Sequence, residues 1–210
     1  MKKRIIFDLD GTLIDIADFR ASIRKNFDYF DIDYTEDNIE GYYQGMINYE
    51  DYFPYYGINE YYLFLRISSG IYFDQDVIEH YLSTPEYLLP ENVDLGVFDT
   101  LDYLKRQEYD LVVLTNYFRN TQIERLKHLN LLSYFSQVYG GEKYIKPDVR
   151  IFEDAIGPYH KDECIMVGDN LNKDYLGAIN AGIDALLIDP NDKYPLVNGI
   201  TNIKELIKKL

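Results

Sequence analysis

The 210-residue sequence predicts an α/β fold in which a helical segment interrupts a parallel β-sheet. Short apolar runs without polar alternation, such as residues 111–114 and 164–167, are typical of strands that are buried on both faces. Helical patterns separate these runs, as expected for parallel strands joined by crossover helices. Residues 16–87, by contrast, contain helical patterns with no strand between them, which indicates an insertion.

The insertion is predicted to contain four helices. The first follows from the helical spacing of Phe19, Ile23 and Phe27. The second follows from Thr35, whose hydroxyl is suited to cap the helix after it. The third and fourth helices are predicted at residues 58–69 and 76–82.

The remaining chain is predicted to form the sheet and the helices that cover it. Strands are expected at residues 4–7, 111–114, 137–139, 164–167 and 185–188. Helices are expected at residues 97–107, 122–129, 147–156, 171–181 and 203–210. We therefore expect a discontinuous core domain of residues 1–14 and 88–210, and a helical cap domain of residues 15–87.

Composition limits the partners of the protein. The net charge of −15, from 36 acidic and 21 basic residues, disfavours nucleic acids and anionic membranes but not a small anionic substrate. No stretch approaches the roughly 18 apolar residues of a membrane helix. The single cysteine, Cys164, fits a reducing compartment, and we expect a cytoplasmic protein.

Polar side chains follow three predicted strands at the point where each ends, namely Asp8 with Asp10, Thr115 with Asn116, and Asp169. Lys146 follows a fourth strand and precedes a helix. Because the carboxyl ends of parallel strands meet at one edge of a sheet, we expect these residues to lie together. Several carboxylates at one edge require positive charge, and Mg²⁺ prefers such oxygen ligands.

Each of these segments also has a purely structural interpretation. Asp10-Gly11 is a common turn, and Thr115-Asn116 is suited to cap a helix. Lys143 is an alternative to Lys146 as the basic residue. The convergence of all the segments on one sheet edge favours a functional site.

Four segments resemble, in order, the motifs of the haloacid dehalogenase superfamily. They are DLDGT at residues 8–12, LTN at 114–116, KPD at 146–148 and GDNLNKD at 168–174. The resemblance covers the whole core and implies a Rossmann-like, three-layer parallel sheet. The helical insertion resembles the C1-type cap of that superfamily.

The resemblance implies a role for each residue of the motifs. Asp8 would attack phosphorus and form an aspartyl-phosphate, and Asp10 would act as general acid and then as general base. Thr115 and the backbone N–H of Asn116 would bind the phosphoryl oxygens, while Lys146 would neutralise Asp8 and the transferring group.

The resemblance also implies Mg²⁺ as cofactor, bound by Asp8, Asp169 and the backbone carbonyl of Asp10. Gly11 would form the tight turn after the first motif. Asp174 would be a supporting acid that either orients Lys146 or holds a metal-bound water.

The reaction that the resemblance favours is hydrolysis of a small phosphomonoester, such as a nucleotide, FMN or a sugar phosphate. Asp10 and Asp169 argue against dehalogenation, which uses neither a second acid nor Mg²⁺. Lys25, the only lysine of the cap, lies on a helix face expected to be exposed, which argues against a phosphonatase. A phosphomutase, or a binding protein that has lost catalysis, stays as an alternative.

Two features of the cap bear on the substrate. Ten tyrosines between Tyr29 and Tyr62 could stack on a flat ring, although packing within the cap explains them as well. Arg20 and Arg24 lie one helical turn apart and could bind a distal substrate charge. An exposed helix face with neighbouring acids is the alternative explanation for the two arginines.

Overall fold

The computed structural model describes residues 2–210, in which one six-stranded parallel sheet forms the centre of the molecule. The strands are β1 (Arg4–Phe7), β2 (Asp110–Leu114), β3 (Gln137–Tyr139), β4 (Cys164–Gly168), β5 (Asp184–Ile188) and β6 (Gly199–Ile200). Their order across the sheet is β3-β2-β1-β4-β5-β6. The predicted α/β class and the five predicted strands are confirmed, and the two-residue β6 is an addition.

Eight α-helices accompany the sheet within residues 2–210. Four lie in the insertion: α1 (Phe19–Tyr29), α2 (Glu36–Tyr52), α3 (Ile58–Ser69) and α4 (Gln75–Ser83). The other four are α5 (Leu95–Arg106), α6 (Arg119–His128), α7 (Val149–Ile156) and α8 (Gly177–Ala181). Thr35 caps α2 as predicted, because its hydroxyl accepts a hydrogen bond from the backbone N–H of Asn38.

Three predicted helices differ from the observed ones. The helix expected at 171–181 is a π-helical turn (Leu171–Leu176) followed by the short α8, and the Asn170 side chain caps that turn. The C-terminal helix is a 3₁₀ helix (Ile203–Lys208). Helix α7 begins at Val149 because the Asp148 carboxylate accepts from the backbone N–H of Arg150, so Pro147 lies outside the helix.

The core of the sheet consists of two layers of apolar side chains on its opposite faces. Because side chains alternate along a strand, Ile5 and Phe7 of β1 pack on one face and Ile6 on the other. Leu101 of α5 covers the first face, and Phe152 of α7 covers the second. Each fully buried side chain of this size contributes about 1.5–3 kcal/mol. The result is the predicted three-layer arrangement.

The helical insertion has an apolar cluster of its own. Phe27, Tyr42 and Leu65 lie at its centre, and Tyr49 packs edge-to-face on Tyr61 with ring centroids 5.0 Å apart. Much of the tyrosine content of the cap therefore serves packing. We propose the predicted division into a cap of residues 15–87 and a core of residues 1–14 and 88–210, of which Met1 lies outside the described residues. Within residues 2–210, no helix combines the length and the apolar character that crossing a bilayer requires.

Candidate active site

One pocket of about 290 Å³ lies at the carboxyl edge of the sheet, beneath the helical insertion. The predicted residues that line it are Asp8, Asp10, Thr115, Asn116, Lys146, Asp169 and Asp174. Asp8 follows β1, Thr115 follows β2 and Asp169 follows β4, and these three strands are neighbours in the sheet. The structure thus brings the four motif segments together.

Lys146 lies between two carboxylates at the base of the pocket. Its Nζ atom donates to Asp8 Oδ1 at 2.5 Å and to Asp174 Oδ1 at 2.7 Å, and all three residues are buried. The alternative residue, Lys143, is exposed and lies 3.7 Å from Asp154. The geometry therefore favours Lys146 over Lys143, and it places Asp174 where it orients that lysine.

Asp174 itself is held by the loop that follows β4. Its Oδ2 atom accepts a hydrogen bond from the backbone N–H of Asn170 at 3.0 Å. A Cβ atom on Gly168 would lie only 2.4 Å from Asp174 Cγ, so glycine at this position admits the carboxylate. The two contacts fix the acid beside Lys146.

Burial and crowding perturb the ionisation of these groups. Desolvation by burial raises the pKa of Asp8 to about 7, and the attraction of Lys146 offsets that rise only in part. Desolvation lowers the pKa of Lys146, but the carboxylates of Asp174 and Asp8 together raise it above its ordinary value. Burial, followed by repulsion from Asp174, also raises the pKa of Asp169. The group therefore holds more negative charge than one lysine balances.

The carboxylates of the pocket fit a divalent cation. Asp8, Asp169 and Asp174 each offer an oxygen atom within 4.8 Å of the others. Gly11 has a φ of +81°, and a Cβ atom on it would lie 2.4 Å from Asp169 Oδ2, so only glycine leaves room for that carboxylate. A cluster of hard oxygen donors with excess negative charge suits Mg²⁺.

Asp10 occupies a different part of the pocket from these three acids. Arg125 donates to both of its carboxylate oxygens, from Nη2 at 2.6 Å and from Nη1 at 2.9 Å. Gln122 donates to Asp10 Oδ2 at 3.2 Å, and its own carbonyl oxygen accepts from Arg125 at 2.6 Å. The Asp10 side chain is therefore held by α6. Of the atoms of Asp10, only the backbone carbonyl belongs to the predicted set of metal ligands.

Sequence reasoning missed Gln122 and Arg125. Both are buried, and they lie on the face of α6 that also carries Leu126. The available signal was two polar residues, three positions apart, on the apolar side of a predicted helix.

Thr115 and Asn116 present polar groups toward the same space. The Thr115 hydroxyl accepts from Gln122 Nε2 at 3.0 Å and from the backbone N–H of Tyr117 at 3.3 Å. The Asn116 amide is engaged with Lys146, since its Oδ1 accepts from the lysine backbone N–H at 2.7 Å. Among residues 2–210, no acceptor is paired with the backbone N–H of Asn116.

The insertion supplies the outer wall of the pocket. Its side chains there are mostly apolar or aromatic: Ile16, Phe19, Met46, Ile47, Tyr56 and Tyr61. Glu50 of α2 is the exception, and it accepts hydrogen bonds from Asn116 at 2.6 Å and from Tyr56 at 3.0 Å. Lys173 lies 2.9 Å from the same carboxylate. Glu50 was not anticipated, although it follows Met46 and Ile47 on one helix face.

Arg20 and Arg24 are not among the residues that line the pocket, and the substrate-binding role expected for them stays a prediction. Arg20 forms an ion pair with Glu40 at 2.7 Å and stacks over the ring of Tyr43. Arg24 pairs with Glu36. The acids of α2 thus satisfy both arginines on an outer face of the insertion, which is the alternative explanation given for them.

Comparisons with known proteins agree with this architecture. The chain matches the family described as haloacid dehalogenase-like hydrolase over residues 2–182. It is 37% identical over 101 residues to the pyrimidine 5'-nucleotidase PynA of Streptococcus pneumoniae, covering 46% of this chain and 43% of PynA. It is 32% identical over 188 residues to the pyrophosphatase PpaX of Bacillus velezensis, covering 85% of this chain and 79% of PpaX.

The chain is also 40% identical over 99 residues to the N-acylneuraminate-9-phosphatase of Mus musculus, covering 44% of this chain and 40% of that enzyme. The matches to PynA and to the mouse enzyme thus span less than half of either relative. Among solved structures, the HAD-hydrolase YfnB of Bacillus subtilis superposes with a TM-score of 0.73 at 24% identity, covering 100% of this chain and 99% of YfnB. That likeness supports the fold, and the family match over most of the sequence shows that the chain belongs to the haloacid dehalogenase-like hydrolases.

Proposed function

We propose that this protein is a Mg²⁺-dependent phosphatase that hydrolyses a small phosphomonoester through an aspartyl-phosphate at Asp8. The observation that carries the proposal is the buried contact of Lys146 with Asp8, in a pocket that also contains Asp10 and Asp169. The reaction requires a nucleophile, an acid–base group and neutralising charge in one place.

In the first step, an Asp8 oxygen forms a bond to phosphorus while the bond from phosphorus to the leaving-group oxygen breaks. Asp10 gives its proton to that oxygen and becomes a carboxylate. Lys146 and the Thr115 hydroxyl offset the negative charge of the transferring group, and the backbone N–H of Asn116 adds a donor. This role of Asn116 is supported by its lack of another acceptor among residues 2–210.

In the second step, a water molecule loses a proton to Asp10, and its oxygen attacks the phosphorus of the aspartyl-phosphate. Inorganic phosphate leaves, Asp8 returns as a carboxylate, and Asp10 is protonated again for the next cycle. Arg125 and Gln122 hold the Asp10 carboxylate, which supports a fixed position for this acid–base group.

Asp8, Asp169 and the backbone carbonyl of Asp10 would hold Mg²⁺, with Asp174 nearby. When bound, the ion would supply the positive charge that the carboxylate cluster lacks and would keep Asp8 ionised despite its raised pKa. Asp174 would act chiefly through Lys146, since it contacts the ammonium at 2.7 Å.

We propose a small phosphorylated metabolite as substrate, with nucleotides, FMN and sugar phosphates as the candidates. The partial match to a pyrimidine 5'-nucleotidase supports the first of these. The covered pocket of about 290 Å³ supports a small molecule rather than a polypeptide. The net charge of −15 supports neither nucleic acid nor membrane as a partner, and the single cysteine supports a cytoplasmic location.

The test is phosphate release from a panel of small phosphomonoesters, with Mg²⁺ and with EDTA, by the wild type and by Asp8→Asn. We expect release that requires Mg²⁺ and that the substitution abolishes. Release by Asp8→Asn at the wild-type rate would contradict the assignment of the nucleophile. No release from any ester by a folded protein would contradict the proposed function.

A further inference from the structure

The charges that line the pocket carry an inference about the leaving group, which rests on the proposed phosphatase function. Three basic residues line the described pocket, and each is paired with an acid. Arg125 is paired with Asp10, and Lys146 with Asp8 and Asp174. Lys173 is paired with Glu50 at 2.9 Å. The wall around the leaving group therefore offers no uncommitted positive charge among residues 2–210.

Glu50 is the charged side chain that the insertion contributes to this wall. Its neighbours in the wall include Phe19, Met46 and Tyr61, which are apolar or aromatic. The Glu50 side chain is only 16% exposed, so its charge is poorly screened by water. An anionic group placed here would meet a carboxylate and an apolar surface.

Glu50 also retains capacity to accept a hydrogen bond from a ligand. Its Oε2 atom contacts both Asn116 and Lys173, whereas Oε1 accepts only from the Tyr56 hydroxyl among residues 2–210. Each carboxylate oxygen has about two lone-pair sites, so Oε1 has one left. An N–H or O–H group on the leaving group would fill that site.

We propose that Glu50 selects phosphomonoesters whose leaving group is uncharged, largely apolar or planar, and bears an N–H or O–H donor. A nucleoside has this chemistry. Leaving groups that carry a carboxylate or a second phosphate are disfavoured, because the Glu50–Lys173 pair offers them no net positive charge and an anion beside Glu50 Oε1 meets that carboxylate oxygen.

The experiment compares pairs of substrates that differ by one carboxylate. Uridine 5'-monophosphate is compared with orotidine 5'-monophosphate, and glycerol 3-phosphate with 3-phosphoglycerate. We expect kcat/KM of the wild type to favour the uncharged leaving group in both pairs, on the order of 100-fold for the nucleotides. Equal kcat/KM values of the wild type within the pairs, or higher values for the carboxylate-bearing substrates, would by themselves overturn the proposal.

The variant Glu50→Gln is expected to reduce this preference by about tenfold, because it removes the repulsion and releases Lys173. Glu40→Gln, on the same helix but paired with Arg20 outside the pocket, should leave the preference unchanged. An unchanged preference in a folded Glu50→Gln would contradict the role of Glu50.

A generic ester separates this inference from the proposed function. Hydrolysis of p-nitrophenyl phosphate without the expected preference would overturn the inference alone. If neither that ester nor any member of the two pairs is hydrolysed, the proposed function is overturned as well.

Discussion

Replacing Lys146 with methionine removes the ammonium that lies between Asp8 and Asp174. The substitution nearly preserves the volume of the side chain, but it leaves two buried carboxylates without their cation. Breaking a buried ion pair on one side costs about 3–5 kcal/mol, because the remaining charge is neither solvated nor compensated. We therefore expect the metal-free variant to lose about that much unfolding free energy at about pH 8.

The loss of unfolding free energy in Lys146→Met should increase as the pH rises. The pKa of Asp8 is raised from 3.8 to about 7 in the folded protein, so its protonation stabilises the fold at low pH. That contribution is lost as pH rises from about 4 to about 7. Without the attraction of Lys146, the folded-state pKa rises further and the loss extends to higher pH. The difference between wild type and Lys146→Met should consequently be smaller at about pH 5 than at about pH 8.

Urea unfolding in EDTA, followed by far-UV circular dichroism at both pH values, measures these differences. The matched control is Lys143→Met, because Lys143 is exposed and 3.7 Å from Asp154. We expect the control to change stability by no more than about 0.5 kcal/mol. If Lys146→Met were as stable as the control at both pH values, the reasoning about the buried charge cluster would be refuted.

Three further predictions concern the acid–base group, the glycine turn and the metal. Arg125→Lys should lower kcat about tenfold with little change in KM, because one ammonium cannot hold both Asp10 oxygens. The control Lys127→Met, on the exposed side of α6, should leave kcat unchanged. Gly11→Ala should cost about 1–2 kcal/mol of stability and weaken Mg²⁺ binding measured by calorimetry, since its Cβ would displace Asp169. Gly70→Ala is also at positive φ, but its Cβ would meet only Asn38 Nδ2 at an ordinary 3.9 Å, so it should show the stability cost alone. Excess Mg²⁺ should raise Tm by roughly 5–10 °C at about pH 8. The rise in Tm should be smaller at about pH 5, because protons compete with the ion for Asp8 and Asp169. Equal rises in Tm at both pH values would contradict the assignment of these carboxylates as metal ligands.

The parts of the site that the sequence predicted are those encoded in short segments at strand ends. Asp8, Thr115 and Asp169 each follow an apolar run, and the geometry of a parallel sheet then places them together. Lys146 was chosen over Lys143 from local sequence alone, and the ion pairs observed around it agree with that choice. Prediction succeeded where a few consecutive residues decided the position of a side chain.

The parts that it missed depend on contacts between elements far apart in the chain. Arg125 meets Asp10 across 115 positions, and Glu50 meets Asn116 across 66. The ion pair of Arg20 depends on such a contact as well, because its partner Glu40 lies on another helix. Helical spacing indicates which face a residue occupies but not which element that face meets. Strand β6, with two residues, is too short to produce a pattern.

The central claim is that Asp8 becomes covalently phosphorylated during turnover. Asp10→Asn keeps the nucleophile but lacks the group that activates water. It should be mixed with Mg²⁺ and p-nitrophenyl phosphate, whose leaving group departs without the proton that Asp10 supplies, and then reduced with borohydride. Borohydride converts an aspartyl-phosphate to homoserine, which mass spectrometry of the N-terminal peptide locates. We predict homoserine at position 8 and none in Asp8→Asn. Phosphate release by the wild type, with no reduced residue at position 8 in the trapped variant, would contradict the account.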